Sequence, residues 1–116
     1  MVLDFKLLLD NAKHPPILRV NGEIDIYTCP KLGEALESAA DGTSKTLILN
    51  LENVHYIDST GLGTIAKSAL TLSAYGGQIK IICSKPQVKK VFEVSGLSKR
   101  NVVMFEDEAA ALADPH

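Results

Sequence analysis

Apolar and polar positions alternate at the start of the chain. Leu3, Phe5, Leu7 and Leu9 are separated by Asp4, Lys6 and Leu8, the period of a half-buried strand. His14-Pro15-Pro16 breaks the run with a turn. Ile17, Leu18 and Val20 open a second strand, which pauses at Asn21-Gly22 before Ile24 and Ile26 resume the alternation. An Asn-Gly pair can close a hairpin, but too little chain follows before the next helix, so a bulge or bend is expected. Thr28 is placed to cap that helix, and Pro30 falls in its first turn, where a missing N–H is harmless. Leu32, Ala35, Leu36, Ala39 and Ala40 recur at helical spacing as one apolar face, and Asp41-Gly42-Thr43 ends it.

Thr46 to Leu51 is an almost continuous apolar run, suited to a strand covered on both faces. A second helix is expected from about Gly61 to Tyr75, with Leu62, Ile65, Ala66, Ala69, Leu70 and Ser73 inward and Gly76-Gly77 as its stop. Ile79 to Cys83 is the next strand. Ser84 is placed to cap a third helix beginning near Pro86, with Val88, Val91 and Phe92 inward. Gly96 sits where a left-handed C-cap belongs, followed by apolar Leu97. Val102 to Phe105 reads as a last strand and Glu106 to Ala113 as a helical turn or two. Strand–helix alternation after the first pair implies right-handed crossovers. The expected fold is α/β: a single domain over residues 1–116, its mixed, mostly parallel sheet built of about five strands with about four helices.

Composition narrows the picture. Hydrophobic residues make up 46%, enough for a core without metal or disulfide staples. Aromatics are 5% with no tryptophan, so aliphatic side chains must build that core. A net charge of -2 argues against a general nucleic-acid binder. Lys85, Lys89, Lys90, Lys99 and Arg100 form a local basic concentration, read either as a solvated helix face or as a contact surface for an acidic partner. Cys29 and Cys83 are expected as buried or half-buried free thiols. His14, His55 and His116 are scattered, form no metal-ligand set, and are expected on loops or the surface. Charges near the N-terminus and short apolar runs point to a soluble, cytoplasmic protein with no membrane span. No metal or cofactor is expected, and with no long amphipathic stretch left over after the core, a monomer is the default.

The candidate chemistry lies in His55-Tyr56-Ile57-Asp58-Ser59-Thr60-Gly61-Leu62-Gly63, between a strand and a helix. α/β sheets place functional groups at such strand ends. Asp58, Ser59 and Thr60 are all competent N-caps. Gly61 and Gly63 each cost a helix interior about 1 kcal/mol relative to alanine, which suggests close approach of another group. A hydroxyl here stands where unpaired N–H groups favour added negative charge. A capping cluster with no further role explains the same residues. A phosphate-binding loop lacks its spacing, with no lysine before Lys67, and the nucleophile-elbow pattern is absent. Adjacent Asp58 and Ser59 diverge, so a Ser-His-Asp line with His55 is not expected.

These residues resemble the STAS domain of anti-sigma factor antagonists. The resemblance is carried by Gly22-Glu23-Ile24-Asp25, the strand Leu47 to Leu51, and above all Asp58-Ser59-Thr60-Gly61-Leu62-Gly63. Gly76-Gly77, Val91-Phe92 and Ser95-Gly96-Leu97 add to it. It implies a regulatory protein rather than an enzyme. Unphosphorylated, such a protein binds an anti-sigma factor that is an ATP-dependent serine kinase, and so frees the sigma factor. Phosphorylation of the serine after the aspartate, here Ser59 with Thr60 as the alternative acceptor, switches it off. A PP2C-type metal-dependent phosphatase restores it. Asp25, Asp58, Ser59, Thr60, Gly61, Leu62 and Gly63 are then the partner-binding residues, with Asp58 either repelling the phosphate or orienting the hydroxyl. A stressosome-like scaffold and a subunit of a lipid-transport complex are the alternatives within the fold. A structural domain with Ser59 as a mere cap, or a small serine hydrolase, lies outside it.

Overall fold

A computed structural model of the chain describes residues 5–40, 45–97 and 100–115. Leu3 and Asp4 of the expected first strand, the helix stop Asp41-Gly42-Thr43, Lys99 and His116 lie outside the described residues. The described strands are β1 (Lys6–Asp10), β2 (Ile17–Ile24), β3 (Thr46–Ile57), β4 (Gln78–Ile82) and β5 (Val102–Phe105). They form one sheet in the order β1-β2-β3-β4-β5, with β1 antiparallel to β2 and all other pairs parallel. Four described helices follow: α1 (Cys29–Ala39), α2 (Ser59–Ser73), α3 (Pro86–Ser95) and α4 (Glu108–Ala113). The sheet is mixed and mostly parallel, as the alternation of elements predicts.

The crossovers through α1, α2 and α3 each step the same way across the sheet, so right-handed connections put all three helices on one face. The core records this. Leu32 and Leu36 of α1, Ile65, Ala69 and Leu72 of α2, and Val88 and Phe92 of α3 pack with Leu18, Leu47, Leu49, Ile79 and Ile81. On the opposite face Ile17, Ile48 and Ile82 meet Ala111 of α4. Neighbours such as Ile48 and Leu49 join different clusters because successive strand residues point to opposite faces.

Several boundaries differ from the sequence expectation. β2 does bulge, with register shifts against β3 between Arg19 and Asn21 and between Gly22 and Glu23. Ile26, however, is 61% exposed in a turn beyond the strand. β3 runs on to Ile57, because β2 continues beside it and pairs Tyr56 with Glu23 and Ile57 with Ile24. α2 begins at Ser59, and its inward face is Gly61, Ile65, Ala69 and Leu72, whereas Leu70 is 72% exposed. Thr28 stands at the N-cap of α1 without capping it. Its hydroxyl donates to the Glu23 carbonyl at 2.7 Å and accepts the Asp25 N–H at 2.9 Å. Ser84 does not cap α3 either; it donates to Glu52 Oε2 at 2.8 Å. Gly96 has the expected left-handed conformation, φ 76°, which a side chain would strain.

Polar groups hold α4 on its face. Arg19 donates through Nε to Glu108 Oε2 at 2.8 Å and through a terminal nitrogen to Oε1 at 2.9 Å, while Asn50 donates to Oε2 at 2.7 Å. At the other end Lys80, 1% exposed, donates to the Ala111 and Asp114 carbonyls, both at 2.8 Å, with the Phe105 ring beneath it. The helix end gives the Lys80 ammonium the acceptors that burial requires.

The hydrogen bond from Arg19 chiefly, with the one from Asn50, holds the Glu108 carboxyl below its ordinary range. A depressed folded-state pKa stabilises above the unfolded value, and that stability is lost as pH falls through the folded one. Glu108→Gln is therefore expected to cost about 1 kcal/mol at neutral pH. The difference from wild type should close below about pH 4. Urea unfolding at stepped pH measures both, and a gap that persists in acid would contradict it.

Candidate functional site

Ile24 and Ile57 are register partners at the ends of β2 and β3, so the residues next after them, Asp25 and Asp58, leave the sheet at one edge. Asp58 is extended, φ -106° and ψ -176°, and its N–H donates to the Ile24 carbonyl at 3.1 Å. Its side chain caps α2, with Oδ1 accepting the Gly61 N–H at 3.0 Å and the Thr60 hydroxyl at 2.5 Å. The Thr60 hydroxyl first, then the Gly61 N–H, hold the Asp58 carboxyl below the ordinary carboxylate range. Of three competent caps, Asp58 takes the role and engages Thr60. The exposed Ser59 hydroxyl is left without a hydrogen-bond partner among the described residues.

The two glycines answer different needs. A Cβ at Gly61 would lie 2.4 Å from Ile24 Cγ2 and 2.9 Å from Ile57 Cγ1, so the first turn of α2 rests directly on the strand ends. The close group that Gly61 accommodates is the chain's own sheet. Gly63 is exposed, and a Cβ there would meet nothing within 4 Å. Leu62 is half-buried between them.

Asp25 is spent on its own loop. Oδ1 accepts the Tyr27 and Thr28 N–H groups at 2.9 and 3.0 Å, which sets the exposed Ile26 and Tyr27 beside the site on a fixed turn. The structure thus brings Asp25, Asp58, Ser59, Thr60, Gly61, Leu62 and Gly63 to one edge of the sheet, with Asp25 and Gly61 shaping it from within.

Sequence reasoning missed the opposite wall. Ile57, Asp58, Ser59 and Leu62 face Gln87, Lys90, Val91, Val94 and Ser95 of α3 across a groove of about 550 Å³. Gln87, Lys90, Val91 and Val94 follow i, i+3, i+4, i+7 spacing, a signal for a second face of α3 beside the buried one. Val94 is 78% exposed. The basic cluster is divided: Lys85 Nζ lies 3.0 Å from His55 Nδ1, Lys89 pairs with Glu106 at 3.1 Å, and Lys90 lines the groove. The described residues hold no group of three or more His, Cys, Asp or Glu able to bind a metal ion, and no helix long and apolar enough to cross a membrane. Cys83 is buried and Cys29 half-buried, both as free thiols, and His14 and His55 are exposed.

Known proteins carry the same architecture. An anti-sigma-B factor antagonist of Staphylococcus aureus is 35% identical over 80 residues, covering 69% of this chain and 74% of the relative. The crystal structure of an anti-sigma factor antagonist from Mycobacterium paratuberculosis superposes with a TM-score of 0.83 at 22% identity, covering 96% of both chains, and shows the common fold. The anti-sigma factor antagonist SpoIIAA in its unphosphorylated form gives a TM-score of 0.75 at 25% identity, covering 91% of this chain and 93% of its own. SpoIIAA from Bacillus has also been solved in the phosphorylated form, with a TM-score of 0.69 at 25% identity over 91% of this chain and 96% of its own. The STAS domain family matches residues 8–111, nearly the whole sheet and its helices, and the chain belongs to that family.

Proposed function

We propose that this protein is an anti-sigma factor antagonist whose partner is an anti-sigma serine kinase and whose switch is Ser59. The observation that carries the reading is the exposed, unengaged Ser59 hydroxyl, set between an Asp58 committed to capping and a Thr60 committed to Asp58. It favours Ser59 over Thr60 as acceptor. The relative named anti-sigma-B factor antagonist supports the partner class, and the phosphorylated structure of SpoIIAA supports a phosphate switch.

In this reading the bare protein binds the kinase, frees the sigma factor in the cytoplasm, and catalyses nothing itself. The Ser59 oxygen attacks the γ-phosphorus of ATP, forming a new O–P bond as the bond to the β–γ bridging oxygen breaks. ADP leaves, and the hydroxyl proton passes to a base of the kinase. The phosphate brings about -1.5 to -2 charges. At the first turn of α2 the positive end of the helix dipole tolerates them. A partner packed over Leu62 and Val94 would instead have to desolvate a dianion beside Asp58. A PP2C-type phosphatase resets the switch.

Candidate host kinases, ATP and the protein are mixed and followed by intact and peptide mass analysis. Wild type and Thr60→Ala should gain one phosphate and lose the complex. Ser59→Ala should gain none and keep binding. Absence of both phosphate and complex with every candidate would sink the reading.

A further inference from the structure

The groove beside Ser59 carries two charged side chains, Asp58 on the α2 side and Lys90 on the α3 side. Nearby cations of the basic cluster are occupied: Lys85 lies against His55 and Lys89 pairs with Glu106. Lys90 has neither ion pair nor hydrogen bond among the described residues, and it faces the groove on the same stripe of α3 as Val91 and Val94. Asp58 has its Oδ1 filled by Thr60 and Gly61. An unengaged ammonium therefore stands across an apolar groove from an unengaged hydroxyl.

We infer that Lys90 is the counter-cation of phosphorylated Ser59, drawing the phosphate across the groove and over Leu62, Val91 and Val94. This rests on Ser59 being the acceptor, and it supplies what that reading lacks, a cation of this chain that holds the added charge. The phosphate then does more than repel a partner, since the ion pair occupies the space between the groove walls. Lys90 is a positioning residue: it is exposed on α3, and its role begins when Ser59 carries the phosphate.

The test needs no kinase. Phosphoserine is incorporated at position 59 during translation, and the second ionisation of the phosphate is followed by phosphorus NMR across pH 4 to 8, centred on its ordinary value of about 6. Lys90 favours the dianion and Asp58 opposes it, so the effect of Lys90 is the difference between variants. The midpoint in wild type should lie about half a pH unit below that in Lys90→Ala. Lys90→Arg should restore the wild-type value, Gln87→Ala should leave it unchanged, and 1 M salt should shrink the gap. Circular dichroism checks that each variant is folded, as expected at an exposed position. Equal midpoints in wild type and Lys90→Ala would overturn the inference. A kinase that leaves Ser59 bare would overturn the acceptor reading instead, without altering this titration.

Discussion

Phe92→Ala is expected to remove about 3–5 kcal/mol of folding stability, the range for truncating a buried aromatic. Phe92 is fully buried and belongs to the cluster that joins all three helices of one face to the sheet. With 5% aromatic residues, the chain has few rings able to refill the space. A domain of this size has on the order of 6–17 kcal/mol in total, so the loss is a large fraction of it. The urea midpoint and Tm should both fall, the latter by on the order of 15 °C or more. The groove should suffer before the sheet does, because Phe92 seats the helix that carries Lys90, Val91 and Val94. A loss under about 1 kcal/mol would mean that neighbouring aliphatic side chains close the cavity.

Gly61→Ala joins a stability effect to a functional one. On helix propensity alone alanine gains about 1 kcal/mol. Against this, the new methyl meets Ile24 and Ile57 at distances that real Cβ atoms do not show. Both isoleucines are buried and β-branched, with little rotamer freedom. Overpacking of this kind costs about 1–3 kcal/mol, so the net change should be a loss of up to about 2 kcal/mol. Relief comes only by lifting the first turn of α2 off the strand ends, and Ser59 moves with that turn. Because about 1 Å of misplacement can cost on the order of a hundredfold in rate, Ser59 phosphorylation should slow at least roughly tenfold in a variant that remains folded. Thermal unfolding and the phosphorylation rate check the two parts. A stabilised variant phosphorylated at the wild-type rate would show that the strand ends yield instead.

Local features of the chain are legible in its sequence, and long-range ones are not. Val102 to Phe105 and the Gly96 cap were readable, because local alternation and local backbone need determine them. The capping role of Asp58 was readable as one of three options. Which hydroxyl remained free was not, since it follows from Thr60 turning back to Asp58. The far half of β3 was hidden because Asn53, His55 and Tyr56 are exposed and only pairing with β2 holds them in the strand. Lys80 was hidden because its acceptors lie 31 and 34 residues away. Leu70 misled because its hydrophobicity outweighed Gly61, which is inward because it is small. Lys90 looked like its neighbours until Glu106 and His55 claimed Lys89 and Lys85.

The plain strand order of the sheet has a kinetic meaning. Every strand pairs with the one that precedes it in the chain, so no strand must wait for a distant segment, and each closure spans little more than one crossover. Each parallel pair must still close a whole crossover before it forms, which is slow, but pairing in chain order lets the sheet grow one strand at a time. A ribosome releasing the chain from its N-terminus delivers the strands in the order in which the sheet can accept them. The join between Arg19 and Glu108 spans 89 residues, yet the strands in between bridge that separation, and a finished sheet brings α4 within reach of β2.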